Sequence, residues 1–447
     1  MKNILKTIAI ALIVILGSAC EKWIDPEINK DPDSPEDVEL SLILPSIQVQ
    51  IAYIMGGFNI AGISSMWMQT LIGNDRQAAA IYSYNMKDED ANSAWNSLYS
   101  GPLTDIEQMI KKAETPGKES WDYAGVGKIM KAYTMGTITS LWGSAPFSDA
   151  FQGSKNLTPQ YDSQREIYDG IQKLLDDAII DLQKTENNLF ELENDLIYDN
   201  DVDKWIRVAY TLKARYYLHT SKRSGNAAYN AILKVFDLGI TSYYEDCKFL
   251  FGTNESEWNP LYQFSLQRIG DAYVNQNFIN LIGDDNDPRY SFFYSAQNSD
   301  LLGGPYYGSA NSRVVLISHT EALFIRAEAN FRLGNLTDAV NDYKSAVISS
   351  LSSFGIPPVS WYNKIDNETE STLTLEKIID QKYVALYMQT EVYCDYRRTG
   401  FPSLTPIPNT ATNNTIPARF PYPNDEKKYN AKNCPSVLLT DKLWAFQ

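Results

Sequence analysis

Apolar residues recur at helical spacing in several long stretches, and this pattern most constrains how the chain can fold. In the clearest stretch, residues 164–184, a stripe formed by Ile167, Ile171, Leu175 and Ala178 has a period near 3.6 residues. Such a stripe has to be buried against another element. The sequence therefore predicts a mostly α-helical fold with long loops and a few short strands. The other helical stretches are 122–142, 203–221, 319–333, 336–351 and 374–396.

Two of these stretches are joined by a tight turn at Gly334. Ala339, Tyr343 and Ala346 follow that glycine at intervals of 5, 4 and 3 residues, and Ala327 lies twelve residues before Ala339. This spacing is typical of a tetratricopeptide helix pair, in which small residues let two antiparallel helices approach closely. A generic helical hairpin is the alternative. The other helices lack the consensus, so we expect degenerate pairs on a tetratricopeptide-like scaffold.

The first nineteen residues predict a lipoprotein signal peptide and not a part of the fold. Lys2 and Lys6 precede an unbroken apolar run at 8–16, which is too short to span a bilayer. Small residues then lead to Cys20, whose thiol we expect to carry lipid. The leucine usual in a lipidation motif is displaced by one position to Leu16. A secreted protein with a free Cys20 is therefore the alternative.

Domain organisation follows from the composition along the chain. Residues 20–40 are rich in proline and acidic residues and predict a lipidated tether, and residues 41–447 predict one domain. Within that domain we expect a helical repeat core, a loop-rich insert and an irregular C-terminal segment. These cover, in that order, about 41–235 with 316–400, about 240–315, and about 400–447. We expect no further segment that could span a membrane.

Charge and cysteine content exclude several classes of protein. The chain has 39 Lys and Arg against 55 Asp and Glu, and no basic cluster, so nucleic acid is excluded as a partner. Besides Cys20 there are three cysteines, Cys247, Cys394 and Cys434, which allow at most one disulfide bond. A small domain held together by many disulfide bonds is therefore excluded.

No sequence motif predicts a catalytic site, a cofactor or a metal centre. The phosphate-binding loop, the nucleophile elbow and the HExxH zinc motif are absent, and the chain has only two histidines, His219 and His319. Asp199, Asp201 and Asp203 alternate as in a calcium loop, but the turn glycine of such a loop is missing. We therefore favour a loop that ends in a helix cap at Asp203, and a protein without enzymatic activity.

Aromatic residues in predicted loops are the candidates for ligand binding. The chain has 29 Tyr and 9 Trp, and each offers a flat apolar face beside a polar atom, which suits stacking on sugar rings or peptide groups. Packing between helices is the alternative for any one of them. Six are selected for their loop context: Tyr82, Tyr84, Trp258, Tyr306, Tyr307 and Trp361.

Short motifs lie in a characteristic order along nearly the whole mature chain. They are Asn29-Lys30-Asp31-Pro32, Leu141–Phe147 (LWGSAPF), Thr158–Asp162 (TPQYD), Asp201–Trp205 (DVDKW), Asp287-Pro288-Arg289, Asp395–Pro402 (DYRRTGFP) and Ile416–Pro423 (IPARFPYP). Each motif is weak alone, and for Asp287-Pro288-Arg289 a turn closed by a local salt bridge is the simplest interpretation. Together, their order and spacing resemble the SusD/RagB family of outer-membrane lipoproteins of Bacteroidetes.

This resemblance implies a SusD-like α superhelix that contains tetratricopeptide pairs. It also implies a cell-surface lipoprotein, anchored in the outer membrane through Cys20, that binds nutrients and covers a SusC-like TonB-dependent transporter. The expected ligand is a glycan. Peptide capture, a structural lid with little affinity of its own, and a surface hydrolase are the alternatives. Because the motifs are structural, the resemblance transfers no ligand-binding residue.

Overall fold

Helices make up most of the computed structural model, which describes residues 38–298, 301–357 and 359–447. The predicted signal peptide, Cys20 and most of the predicted tether lie outside these residues. The predicted fold class, mostly helical with a few short strands, is confirmed. The α-helices are α1 Leu40–Gly56, α2 Ile63–Trp67, α3 Arg76–Tyr82, α4 Asp88–Leu98, α5 Thr104–Ala113, α6 Trp121–Trp142, α7 Gln164–Leu182, α8 Val202–His219, α9 Ser221–Ser224, α10 Asn226–Phe236, α11 Pro260–Gln267, α12 Gln276–Asp284, α13 Tyr290–Phe293, α14 Gly304–Tyr307, α15 His319–Leu333, α16 Leu336–Ser353, α17 Asn363–Asp366, α18 Leu375–Ala385, α19 Glu391–Thr399 and α20 Asn424–Tyr429.

Short strands form two small antiparallel sheets in the part of the chain that the structure describes. The strands are β1 Leu71–Gly73, β2 Cys247–Leu250, β3 Ala272–Val274 and β4 Arg313–Ile317. β1 pairs with β3, and β2 pairs with β4. Two π-helical turns are also present: Phe58–Gly62 leads into α2, and Tyr99–Leu103 joins α4 to α5. The region predicted to be loop-rich therefore carries β2, β3 and the short helices α11 to α14.

The long helices pack against one another in the order of the sequence. α5 packs on α6, α6 on α7, α7 on α8, α8 on α10, α10 on α15, and α15 on both α16 and α18. Packing of each helix on its neighbours is typical of helical-repeat scaffolds, in which no single pair can bury its apolar face alone. The apolar core follows this succession of helices from one end to the other.

The predicted helix pair around Gly334 is confirmed. Gly334 ends α15 with φ of 82°, a left-handed conformation that glycine adopts without a steric penalty. Ala327, Ala339 and Ala346 are fully buried where α15 meets α16, and the ring of Tyr343 fills the space beside them. Small residues at these positions allow the close approach of the two helices, as their spacing in the sequence predicts.

The predicted helix at 374–396 is wrong in one respect, because two helices occupy that stretch. α18 ends at Ala385 and α19 begins at Glu391. Met388, between them, has a positive φ of 64°, which no α-helix contains. Tyr387 and Met388 are buried in the core, so tertiary packing holds the break. The apolar pattern continues through the break because Tyr387 and Met388 are buried in the core, although neither belongs to a helix.

Asp201, and not Asp203 as predicted, caps helix α8. The Asp201 carboxylate accepts a hydrogen bond of 3.2 Å from the backbone N–H of Lys204 and lies 3.1 Å from the Lys204 Nζ. Asp203 instead lies in the first helical turn, where an acidic residue is favoured by the helix dipole. The carboxylate of Asp201 is thus used locally, which supports the helix-cap interpretation of this loop over a calcium site.

The stretch Leu40–Trp67 is long and apolar enough to cross a membrane, judged by length and composition only. This corrects the expectation that no further segment would pass such a test. Its inward face is buried against the rest of the protein, with Leu44, Ile47 and Ile51 fully enclosed. Core helices of folded domains pass the same test, and this packing identifies α1 as one of them.

Ion pairs are buried between the helices of the core. The Arg215 guanidinium donates to both carboxylate oxygens of Glu321, at 2.7 and 2.5 Å. Arg398 donates to a carboxylate oxygen of Glu328 at 2.6 Å and to Asp395 at 2.8 Å. All of these side chains are almost completely excluded from water. Each buried charge is therefore matched by a charge of the opposite sign, as burial requires.

Candidate ligand-binding site

An open cavity of about 810 Å³ lies between α12, α18 and the segment 402–405. This size is within the range of small-molecule sites in proteins. Helix α12 lies in the predicted insert, α18 in the predicted helical repeat core, and 402–405 in the predicted irregular C-terminal segment. The cavity is therefore formed where these three parts meet. We refer to it below as the acidic cavity.

The charged residues that line the acidic cavity are all carboxylates, and they are Asp284, Asp285, Asp287, Glu376 and Asp380. Lys364 forms an ion pair with Asp285, and Arg289 forms one with Asp287. Within the described part of the chain, no Lys or Arg lies within ion-pair distance of the other three carboxylates. The cavity therefore presents hydrogen-bond acceptors and a net negative charge to a ligand.

Asp380 is the most perturbed of these carboxylates. Burial, followed by the nearby Glu376 carboxylate, raises the pKa of Asp380 to about 6. Its Oδ1 atom is enclosed and accepts no hydrogen bond from any described residue. Glu376 and Asp380 are four residues apart on α18, where two like charges destabilise a helix slightly.

Amide side chains complete the polar lining of the acidic cavity, and they are Gln69, Asn277 and Gln381. Gln69 has a positive φ of 59°, an unusual backbone conformation for a residue other than glycine. Its side chain donates a hydrogen bond of 2.6 Å to the Thr405 carbonyl and so joins the two sides of the cavity wall. Strained residues of this kind concentrate at functional sites.

Arg289 connects the acidic cavity to the helical repeat. Its fully buried guanidinium lies 2.6 Å from the Asp287 carboxylate and donates to Ser350 on α16 at 3.1 Å and to Gln381 on α18 at 2.8 Å. The salt bridge expected within Asp287-Pro288-Arg289 is thus present. Its additional partners fix the end of α12 against two helices of the core.

Two of the six aromatic candidates lie beside the acidic cavity. The Trp361 indole N–H donates a hydrogen bond of 3.2 Å to Asp285, which places the partly exposed Trp361 ring at the rim. Tyr84 lies behind the wall, where its hydroxyl accepts a hydrogen bond of 3.3 Å from the backbone N–H of Ile407. Because Tyr84 is fully buried, it supports the wall and offers no exposed ring face.

The other four candidates do not line the acidic cavity. Tyr82 ends α3 and is half-buried. The Trp258 ring packs edge-on against Tyr262, and its indole N–H donates to the Thr253 carbonyl at 3.0 Å. Tyr307 is buried, and Tyr306 is covered on one face by the Arg313 guanidinium at 4.5 Å. The structure thus does not gather the six aromatics into one surface, and their role in ligand binding stays a prediction.

Sequence reasoning missed the carboxylates of α18. Glu376 and Asp380 fall in the amphipathic stretch 374–396, and Asp284 and Asp285 precede the turn predicted at Asp287-Pro288-Arg289. Two acidic residues at a spacing of four are a weak signal, because Lys377, three residues before Asp380, is a possible partner in the sequence. Only the structure shows that Lys377 pairs with Glu368 instead.

His219, Glu391 and Cys394 form a group that could hold a metal ion, judged by their spacing. Their hydrogen bonds indicate an ion pair instead. His219 Nε2 lies 2.8 Å from Glu391, and its Nδ1 lies 3.0 Å from the Tyr168 hydroxyl. Burial opposes the charge, but the Glu391 carboxylate raises the pKa of His219 to about 9. A protonated imidazole has no free lone pair for a metal. Cys394, Cys247 and Cys434 are free thiols.

The acidic cavity presents binding groups, and no pair of a nucleophile with a histidine base is found among the described residues that line it. Its lining combines carboxylate and amide groups with the exposed apolar side chain of Leu281. Of the residue types that form nucleophile–histidine pairs, only Ser403 lines the cavity among the described residues. Its hydroxyl donates to Glu376 at 3.3 Å, and no histidine lies beside it to act as a base.

The sequence and the fold both match known proteins. A SusD-like family model, described as starch-binding and associating with the outer membrane, matches residues 32–423. A solved SusD/RagB family protein from Bacteroides thetaiotaomicron is 25% identical, with a TM-score of 0.71, and the match covers 89% of this chain and 95% of that chain. No curated protein matches the sequence.

Two other solved structures share the fold. A chitin-binding SusD homologue from Flavobacterium johnsoniae is 20% identical, with a TM-score of 0.76, over 91% of this chain and 98% of that chain. Another chitin-binding protein is 22% identical, with a TM-score of 0.76, over 92% of this chain and 100% of that chain. The family model spans most of the sequence, so the chain belongs to the SusD-like family, whose members associate with the outer membrane.

Proposed function

We propose that this protein captures oligosaccharides in the acidic cavity at the cell surface and delivers them to a partner TonB-dependent transporter. The single observation that carries this proposal is the cavity itself. Its three carboxylates without an ion-pair partner among the described residues, together with its amides, match the many hydroxyl donors of a sugar. Neutral sugars or amino sugars suit this lining, whereas sulfated or uronic acid glycans would be repelled.

The proposal includes attachment to the membrane through lipid on Cys20. The support is the sequence of the N-terminus together with the outer-membrane association of the family. Wild-type cells grown with an alkyne fatty acid should yield labelled protein, and the Cys20→Ser variant should yield unlabelled, released protein. A wild-type protein without label would contradict this part of the proposal and leave the binding part untouched.

Calorimetric titration of the detergent-purified, full-length chain tests binding. The probes are α-1,4-glucans (maltotriose and amylose) and N-acetylglucosamine polymers (N-acetylchitotriose and glycol chitin), chosen because the family is described as starch-binding and a relative of the same fold binds chitin. Glu376→Ala and Asp380→Ala should each weaken binding about tenfold, the loss expected for one or two hydrogen bonds to a charged acceptor. The matched control is Asp169→Ala, which removes an exposed carboxylate on α7. Binding that ignores both cavity variants would overturn the proposed site.

Capture of a cationic peptide is the second candidate, because an acidic cavity also attracts Lys and Arg side chains. Salt separates the two candidates. Binding of a Lys-rich peptide should weaken strongly between low salt and about 0.5 M salt, whereas binding of a neutral glycan should change little. Failure of all glycan probes combined with salt-sensitive peptide binding would favour the peptide. Failure of both kinds of probe, with a transporter that still co-purifies, would favour a structural lid.

A further inference from the structure

A second cleft, of about 230 Å³, lies between the end of α1, the π-helical turn Phe58–Gly62, α4 and α11. None of the described side chains that line this cleft carries a charge. The chain as a whole has 21% charged residues and the other cavity is lined by carboxylates, so this lining is distinctive. We refer to it as the neutral cleft.

The floor of the neutral cleft is aromatic. The rings of Phe58 and Phe264 are stacked, with centroids 3.9 Å apart and an angle of 5° between their planes. Tyr53 stands at the rim with 43% of its surface exposed. Because Phe264 covers one face of the buried Phe58 ring, the partly buried Phe264 and the exposed Tyr53 are the aromatic rings available to a ligand, and sugar rings stack on such rings.

The walls of the neutral cleft consist of amides and hydroxyls. Tyr53 donates a hydrogen bond of 3.2 Å to the Oε1 of Gln263, whose own amide donates to the Trp258 carbonyl at 2.7 Å. Gln267 and Ser97 are exposed along the walls. Amides and hydroxyls both donate and accept, as sugar hydroxyls do. An ionic ligand would lose hydration here without gaining a charged partner.

The neutral cleft and the acidic cavity lie within a short length of chain from each other. Gln267, at the end of α11, lines the cleft, and Asn277, at the start of α12, lines the cavity. These residues are ten positions apart, so their Cα atoms are at most about 36 Å apart. Between them, Ile269 is exposed on the surface. One long polymer can therefore reach both sites, whereas a trisaccharide occupies only one.

We infer that the neutral cleft is a second carbohydrate subsite, which holds uncharged sugar residues of a polymer whose other segment lies in the acidic cavity. This inference rests on the proposed function for its polymeric ligand. Binding at two linked sites raises the apparent affinity for a long chain well above that for either site alone. The cleft thereby selects polymers over short fragments.

The test uses the same four probes and the full-length chain in detergent. Tyr53→Ala removes the rim ring, and Ser97→Trp fills the cleft from an exposed position that leaves the core untouched. Each variant should weaken binding of amylose or glycol chitin at least tenfold and leave binding of the matching trisaccharide at the acidic cavity unchanged. The matched control is Tyr429→Ala, which removes a tyrosine that is 66% exposed on α20.

Each outcome has a distinct meaning. Polymer binding that is equal in wild type, Tyr53→Ala and Ser97→Trp, but weakened by Asp380→Ala, would overturn this inference and leave the proposed function standing. An equal loss in Tyr429→Ala would also overturn it, because any exposed tyrosine would then have the same effect. If none of the probes binds to the wild-type chain, both the inference and the capture of these glycans are wrong.

Discussion

Carboxylates in the helical core and carboxylates in the acidic cavity have opposite environments. Glu321 and Glu328 are almost completely buried, and each is held by an arginine. Asp284, Glu376 and Asp380 face an open cavity without a cation in ion-pair distance among the described residues. Removal of one partner from a buried pair destabilises the fold, because it leaves the other charge buried and uncompensated. An unpaired carboxylate contributes little to stability and remains available to a ligand.

The comparison is tested most severely by Glu328→Gln. This change leaves the Arg398 guanidinium buried with only Asp395 to balance its charge. We expect a loss of roughly 3–5 kcal/mol in the free energy of unfolding, measured by denaturant titration at neutral pH. A loss below about 1 kcal/mol would show that the core pairs do not differ from surface pairs.

The His219→Gln variant tests the buried ion pairs of the core through the pH dependence of stability. The folded-state pKa of His219 is about 9 against about 6.5 in the unfolded chain, so its contribution is complete below about pH 6.5 and is lost as pH rises towards 9. Between pH 6 and pH 9.5 the wild-type protein should lose roughly 3 kcal/mol more than the variant. The measurement is the free energy of unfolding at several pH values. Parallel curves for the two proteins would mean that His219 is neutral in the fold.

Gly334→Ala perturbs the core without touching a charge. Alanine at a φ of 82° adopts the left-handed conformation at a cost of about 1–2 kcal/mol, although no neighbouring atom obstructs its methyl group. Gly334→Asn is the control, because asparagine tolerates this conformation better, and its loss should be smaller. Thermal unfolding of both variants checks the order. An alanine variant as stable as wild type would contradict the turn geometry.

Asp380→Asn should have the smallest effect on stability and tests the carboxylates of the acidic cavity. Burial raises the pKa of Asp380 from 3.8 to about 6, so its ionisation lowers the free energy of unfolding as pH rises from about 4 to about 6, and this penalty stays constant at higher pH. The side chain is partly exposed and its charge is screened by water. The Asp380→Asn variant should therefore gain at most about 1 kcal/mol in free energy of unfolding at pH 7.5. This gain should vanish near pH 4, where the carboxyl of the folded protein is protonated. A loss of several kcal/mol at pH 7.5 would assign Asp380 to the core group.

The fold could be predicted where a single physical rule acts over a short stretch. Helix α7 buries one face along its whole length, so a stripe of apolar residues predicts it closely. The turn at Gly334 depends on one glycine and on small residues at fixed intervals. The break between α18 and α19 could not be predicted, because Tyr387 and Met388 are apolar in either conformation and only distant contacts decide between them.

The acidic cavity could be predicted much less well. Its walls come from residues 69, 277–287, 376–384 and 402–405, which only the folded chain brings together. Trp361 lies at its rim, but loop context selected that residue together with the buried Tyr84 and Tyr307. Loop context predicts that a side chain lies near the surface. It does not predict which way a ring faces, and that depends on the packing of the neighbouring helices.

The bridge made by Arg289 has a consequence for how a ligand is held. Its guanidinium joins the turn after α12 to both α16 and α18, so one wall of the acidic cavity is fastened to the most regular part of the protein. A wall that is already ordered in the free protein loses little conformational entropy when a ligand binds. The wall is then a preorganised part of the binding site, so a few modest hydrogen bonds are enough to give measurable affinity.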